Sequence, residues 1–457
     1  MLPNALVKSQ KEDSLIAVFN PHTYLRRALL FPHGAEKISK NYENPPTLSN
    51  RDCRWKILQP RLNGLATLIS RQGQQAANLT EATTMRRREF LKRVNVGVLG
   101  LFLGQLSFKT SWAKGTPEMK NWAWYRTRSE ISGDEQRKLM DKMRAAGIQA
   151  ILPEVYNSHN ARFRSQRLPV SAPVLEQLIP MAKSAGLEVH AWMWSMPNNI
   201  EKSHVQHPEW FAVNGKGESA LQKPAYVDYY KFMCPNRPGV QEFVEENVKE
   251  LAQYDDLDGI HLDYIRLPDV ILAENLQPKY GIVQDREYPE YDYCYCEICR
   301  SLFEAEHDLD PLNLKDPSEN QAWRQFRCDS ITNLVNDRLI PAGRKHDKVM
   351  TAAVFPNWQH VRQEWSKWHL DAVLPMLYNS FYNQTIGWIK EKTATGVHSL
   401  PDTVSLYSGL FVPALEPEEL IDAIEKSLEA GADGVSLFAV GSMTDRHWAV
   451  LSKYMNR

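Results

Sequence analysis

From Lys114 onward the chain alternates short apolar runs, eight in all, with stretches of helical spacing, the pattern of a parallel α/β architecture. The strand candidates are Trp122–Arg126, Gln149–Tyr156, Glu188–Met196, Gly259–Arg266, Val349–Phe355, Ala372–Tyr378, Val404–Leu410 and Gly434–Val440. Between them, Asp134–Ala146, Val174–Ala185, Val240–Ala252, Trp323–Lys345 and Pro417–Ala430 carry helical periodicity. Ala145-Ala146-Gly147, Ser184-Ala185-Gly186 and Glu429-Ala430-Gly431 each put glycine where a left-handed helix cap is wanted before the next strand. Eight such units predict a closed (β/α)8 TIM barrel. A doubly wound two-domain sheet is the alternative, but no Gly-rich phosphate fingerprint follows a strand. The stretch from Lys114 to Arg457 exceeds the roughly 250 residues typical of such a barrel. An insertion is therefore expected, and Asp269–Asn320, Cys-rich and following the fourth strand, is the candidate.

Position on the barrel turns composition into chemistry. In Asp258-Gly259-Ile260-His261-Leu262-Asp263-Tyr264-Ile265-Arg266, period-2 alternation sends Ile260 and Leu262 to one face and His261 and Asp263 to the other. Asp263 then falls at the strand's C-terminal end, where barrel loops build active sites. Glycoside hydrolysis needs a second carboxylate. Glu154, near the end of the second strand, fits better than Asp371 at the start of the sixth. An ion pair of Asp263 with Arg266 is the bland alternative and is compatible with catalysis, since a nearby guanidinium keeps a carboxylate ionised. On the third strand His190, Trp192 and Trp194 share a face. With Tyr378, His261 and Arg266 they are the expected sugar-contacting residues, the aromatic faces supplying flat apolar area and the polar edges hydrogen bonds. Core filling explains the same aromatic stripe and both histidines.

Cys294-Tyr295-Cys296-Glu297-Ile298-Cys299 places three thiols within six residues, enough to converge on one tetrahedral metal. A structural zinc site with Cys234 as fourth ligand is expected, Cys328 being the alternative; an all-thiolate site leaves no open position for catalytic water, so no catalytic cofactor is expected. Disulfides would leave one of the five cysteines from Cys234 onward unpaired.

Arg87-Arg88-Glu89-Phe90-Leu91-Lys92, a weakly polar stretch from Val94 to Phe108, and Ser111-Trp112-Ala113 resemble a twin-arginine signal peptide spanning 85–113. The apolar part is shorter than the about 20 residues a bilayer span needs, so a stable membrane anchor is not expected. Residues 1–84, with turn-forming clusters such as Glu43-Asn44-Pro45-Pro46, read as a non-native or disordered extension, Met85 being the expected natural start. Export through the twin-arginine machinery to the periplasm or outside the cell follows. With 54 Lys+Arg against 55 Asp+Glu, net charge gives no reason to expect nucleic acid as a partner.

The region after the signal resembles the glycosyl-hydrolase-like family 10 of bacterial barrels. The resemblance is carried by Arg162-Phe163-Arg164-Ser165, His190-Ala191-Trp192, Asp258 to Tyr264 and Pro375-Met376-Leu377-Tyr378. It implies a barrel acting on carbohydrate with Asp263 at the acidic position of strand four. Tyr264 stands where many relatives have a second Asp, so that carboxylate's role does not transfer, and Ile265 stands where a chitinase-type acid would fall. The cysteine cluster resembles a structural zinc site of some barrel galactosidases. The expected function is an exported glycoside hydrolase acting on a polysaccharide or glycoconjugate through Asp263 and Glu154, with a non-catalytic carbohydrate-binding barrel as the alternative.

Overall fold

In a computed structural model that describes residues 119–127 and 132–456, the eight apolar runs form eight strands. They are β1 (Trp122–Tyr125), β2 (Ala150–Tyr156), β3 (Glu188–Trp194), β4 (Gly259–Asp263), β5 (Val349–Val354), β6 (Ala372–Pro375), β7 (Ser405–Phe411) and β8 (Gly434–Phe438). All pair in parallel in chain order, and β1 pairs with both β2 and β8, so the sheet is a closed (β/α)8 barrel. The expectations for residues 1–84 and 85–113 lie outside the described residues, among which no helix is long and apolar enough to cross a membrane.

The helices are α1 (Gly133–Ala145), α2 (Leu175–Ser184), α3 (Glu201–Gln206), α4 (Pro238–Ala252), α5 (Glu297–His307), α6 (Gln321–Leu334), α7 (Ile340–Arg344), α8 (Ile386–Ser399), α9 (Pro417–Glu429) and α10 (Asp445–Met455). A π turn, Val335–Leu339, joins α6 to α7. Ser132 starts α1 with a reciprocal capping box to Glu135, satisfying amide groups that the first helical turn leaves unpaired. Gly147, Gly186 and Gly431 have φ of 81°, 75° and 91°, the left-handed conformation their sequence positions called for.

Three local features differ from the sequence reading. The fourth strand ends at Asp263 instead of Arg266, because Tyr264 takes φ of 50° and turns the chain out of the sheet. Between β5 and β6 the described chain makes only single-turn segments, Trp358–Val361 and Trp365–Lys367, where a helix would stand in a regular barrel. The connection from β3 to α4 is a long excursion that includes α3, comparable in kind to the expected insertion after β4.

Alternation divides the core in two. Outward residues such as Ile151, Val189, Ile260 and Leu262 join Leu178, Val244 and Val248 in the layer between sheet and helices. Each such burial contributes about 1.5–3 kcal/mol. Inward residues are large and aromatic: Trp122 packs against His190 at 4.5 Å and Tyr407 at 5.2 Å, and one level higher Trp124 packs against Trp192 at 4.9 Å and His261 at 4.5 Å. Gly259 makes room for this filling, since a Cβ there would lie 2.2 Å from the His190 ring. The interior beneath the rim is thus filled by side chains.

Candidate active site

Glu154 and Asp263 stand inward at the C-terminal ends of β2 and β4, each buried yet 7% exposed. Both oxygens of Asp263 are engaged: Trp192 Nε1 donates to Oδ2 at 2.9 Å, and the Tyr264 backbone N–H donates to Oδ1 at 2.7 Å. The left-handed turn at Tyr264 brings that N–H back onto the carboxylate. Such a conformation costs a bulky residue about 1–3 kcal/mol. Tyr264 is held there by its ring contact with Trp194 at 4.3 Å and by the Arg266 guanidinium 5.2 Å over its face. Glu154 Oε1 accepts from Trp194 Nε1 at 3.2 Å.

The two carboxylates lie in unlike charge settings. Burial pushes the Asp263 carboxyl up to about 6; the N–H donors and Arg266 oppose the rise, and the Glu154 charge adds to it. Burial also raises Glu154, but Arg126, Arg162 and the Trp194 indole oppose that rise. Arg126 is exposed at the end of β1, with its guanidinium 5.7 Å over the Phe438 ring, and makes no ion pair among the described residues. Arg162 is tied to Thr127, whose hydroxyl donates to the Glu154 carbonyl at 2.9 Å.

Arg266 does not pair with Asp263. It is buried, its Nη1 lies 3.0 Å from Asp269, and it is caged by Tyr230, Phe232, Tyr264 and Phe355. The chain's turn at Tyr264 removes it from the rim, which corrects its expected place among sugar-contacting residues. His190 and His261 are corrected likewise: both are 0% exposed in the interior layers beneath the carboxylates. Burial holds both imidazoles below their ordinary range, and His261 Nδ1 meets the Thr351 hydroxyl at 2.7 Å. Trp192 is 2% exposed, so its ring fills the core while its N–H serves Asp263. Trp194 is half-buried at the rim, beside the half-buried Tyr264 and Tyr229. Tyr378 forms the facing wall with Phe381, Phe411 and Phe438. Asp371 lies at the start of β6, paired with Arg344 at 3.0 Å, away from the rim.

Arg126, Tyr229 and Phe438 were not singled out by sequence reasoning, and Tyr264 was noted only as standing where many relatives have a second Asp. Arg126 and Phe438 each sit at the upper end of a strand, so rim position was the signal available. Tyr229 lies in the β3–α4 excursion and carried none.

In the connections that follow β3 and β4, Cys234, Cys294, Cys296 and Cys299 converge, their sulfurs all within 4.8 Å of one another. The Cys234 sulfur is 3.6 Å from that of Cys296 and 3.4 Å from that of Cys299. These separations are far beyond the about 2.05 Å of a disulfide. They approach the edge, about 3.8 Å, of a tetrahedron built from zinc–sulfur bonds of about 2.3 Å. Cys328 is buried elsewhere and is not one of the four. Beside the cluster, buried Asp292 accepts from Tyr295 Oη at 2.6 Å and lies 3.2 Å from Arg362, with Arg327 a further partner.

No curated protein matches the chain significantly. Among solved structures, the β-amylase catalytic domain from Paenibacillus polymyxa aligns with TM-score 0.54 at 12% identity, covering 74% of this chain and 98% of that one. A β-galactosidase from Halorubrum lacusprofundi aligns with TM-score 0.52 and one from Rahnella sp. R3 with 0.53, both at 12% identity over 74% of this chain; the alignments span 58% and 56% of their lengths. At such identity the likeness is one of fold. The profile of the family Glycosyl hydrolase-like 10 matches residues 119–410, and the chain belongs to that family.

Proposed function

We propose that the protein hydrolyses glycosidic bonds of a polysaccharide or glycoconjugate, with Asp263 as the proton donor and Glu154 as its anionic partner. The observation that carries this reading is the asymmetry of the two rim carboxylates. Two guanidiniums act on Glu154, whereas Arg266, which acts on Asp263, is committed to Asp269. Environments that push two carboxylates apart in acidity divide the acid and base roles between them. Asp263 gives its proton to the departing glycosidic oxygen while ionised Glu154 attacks the anomeric carbon or removes a proton from attacking water. Half-buried Trp194 and Tyr264 on one side, and Phe438 and Tyr378 on the other, offer apolar faces to the sugar rings.

The test is release of reducing sugar from a polysaccharide panel, with D263N and E154Q run alongside. Turnover lost in both variants while sugar binding persists supports the hydrolase. Binding by the wild type without any turnover favours the non-catalytic carbohydrate-binding barrel, and absence of both overturns either reading.

The four-thiol cluster is proposed to hold a structural zinc. Its donor set fits: four buried cysteine sulfurs lie within 4.8 Å of one another, a separation suited to one tetrahedral ion. Bound there, zinc would cross-link the β3–α4 and β4–α6 connections. Export by the twin-arginine route is proposed from Arg87-Arg88 and the apolar stretch behind it. A mature N-terminus near Lys114 supports it, and recovery of residues 1–84 in the mature chain contradicts it.

A further inference from the structure

We propose that the two indoles of β3 are crossed positioning donors, Trp192 orienting Asp263 and Trp194 orienting Glu154, so that a single strand sets the direction of both rim carboxylates. The inference rests on the hydrolase reading only for the purpose the carboxylates serve.

Strand register makes the crossing visible. Glu154 stands opposite Trp192 in the β2–β3 pairing, and Asp263 stands opposite Trp194 in the β3–β4 pairing. The hydrogen bonds run the other way, each indole reaching past its neighbour in register to the carboxylate on the far side. Residues two apart on a strand share a face, and β3 lies between the strands that carry the two acids, so this strand is placed to serve both. An indole N–H donates and never accepts. It can therefore stabilise an acceptor oxygen but cannot reverse its role as a hydroxyl or a water can. Each ring is itself fixed: Trp192 by an edge contact with Trp124 at 4.9 Å, and Trp194 by Tyr264 at 4.3 Å and Tyr229 at 5.9 Å. Supporting groups whose own conformations are locked by packing are what hold a catalytic pair in register.

The other charged and titratable groups acting on the pair are Arg126 from β1, Arg162 from the β2–α2 connection, Arg266 from the β4–α6 connection and Tyr378 beyond β6. Tyr264 follows Asp263, and His261 lies one level down on β4. None of the arginines is hydrogen-bonded to either carboxylate, which leaves the indoles as the side-chain donors among the described residues.

The test uses the full chain labelled with 15N-tryptophan, its indole Nε1–H resonances followed from pH 8 to pH 4.5 without any substrate. One indole resonance should move with a midpoint near 6, the value for Asp263, and cease to move in D263N. A second should follow Glu154 and cease to move in E154Q. W192F and W194F assign the two signals. In W192F, loss of a donor to the ionised form should raise the Asp263 midpoint, read from its 13C-labelled side-chain carboxyl, by about one unit. A general packing defect would not move it selectively. Should W192F not fold, the D263N and E154Q spectra decide the matter alone. Indole resonances that stay fixed through the titration, or a Trp192 signal that responds to E154Q and not to D263N, overturn the proposal. Neither result depends on sugar turnover, so failure here and failure of the hydrolase reading are distinguishable.

Discussion

At the barrel mouth, burial raises both the Glu154 and the Asp263 carboxyl, two guanidiniums oppose the rise at Glu154, and each carboxylate is supplied with N–H donors from rigid elements. At the thiol cluster, four buried sulfurs face one another at close range, with Asn236 donating to Cys299 at 3.2 Å. Both regions bury ionisable groups at a cost, and they differ in what relieves it. At the mouth the relief is incomplete, and the residual rise in pKa is the property that the proposed proton transfer would use. At the cluster a divalent cation would relieve the whole of it, turning mutual repulsion into a cross-link. The first arrangement favours chemistry and the second favours stability.

The strongest way to break this contrast is at the mouth. E154Q and D263N should each lower hydrolysis by about 10²–10⁴-fold, measured as reducing-sugar release, with melting temperature preserved or raised. The cluster should show the reverse. Elemental analysis should find close to one zinc per chain, and its removal by chelator, or C299S, should lower the melting temperature by about 5–15 °C. Two disulfides by mass and no metal would remove the zinc proposal.

R126M sharpens the comparison further. Arg126 favours ionised Glu154, so losing the guanidinium should raise the Glu154 pKa and move the acidic limb of the pH–rate profile to higher pH, with activity down by about tenfold. An unmoved acidic limb would deny Arg126 that role.

The smallest effect is on stability. The folded-state value of Asp263 lies above its ordinary 3.8, so the group favours the folded state below that value and this contribution is lost as pH rises through about 6. D263N should therefore raise the melting temperature at pH 7 by a few degrees, from a linkage of about 1–3 kcal/mol, and the gain should disappear near pH 4. A gain independent of pH would mean that some other interaction is responsible.

The barrel was legible because strand runs and glycine caps are local signals: every strand candidate overlaps a strand, and Gly147, Gly186 and Gly431 adopt the expected conformation. The strand-end placement of Asp263 and Glu154 was also readable, as was the convergence of Cys234 with the Cys294–Cys299 run. Depth was not. Period-2 alternation says that His190, His261 and Trp192 point inward, but not that they stop below the mouth, which depends on how aromatic rings from β1 fill the barrel. Nor does any local signal announce the turn at Tyr264, which ends the strand, frees Arg266 to find Asp269 and returns an N–H to Asp263. The β3–α4 excursion was missed because its few short elements carry no sustained period.

The most direct measurement of the central claim is a 13C titration of the side-chain carboxyls of Glu154 and Asp263 in the intact chain. The account predicts that Glu154 loses its proton first and that Asp263 keeps its own until about pH 6. Release in the opposite order, or both groups titrating at ordinary carboxylate values, would contradict it.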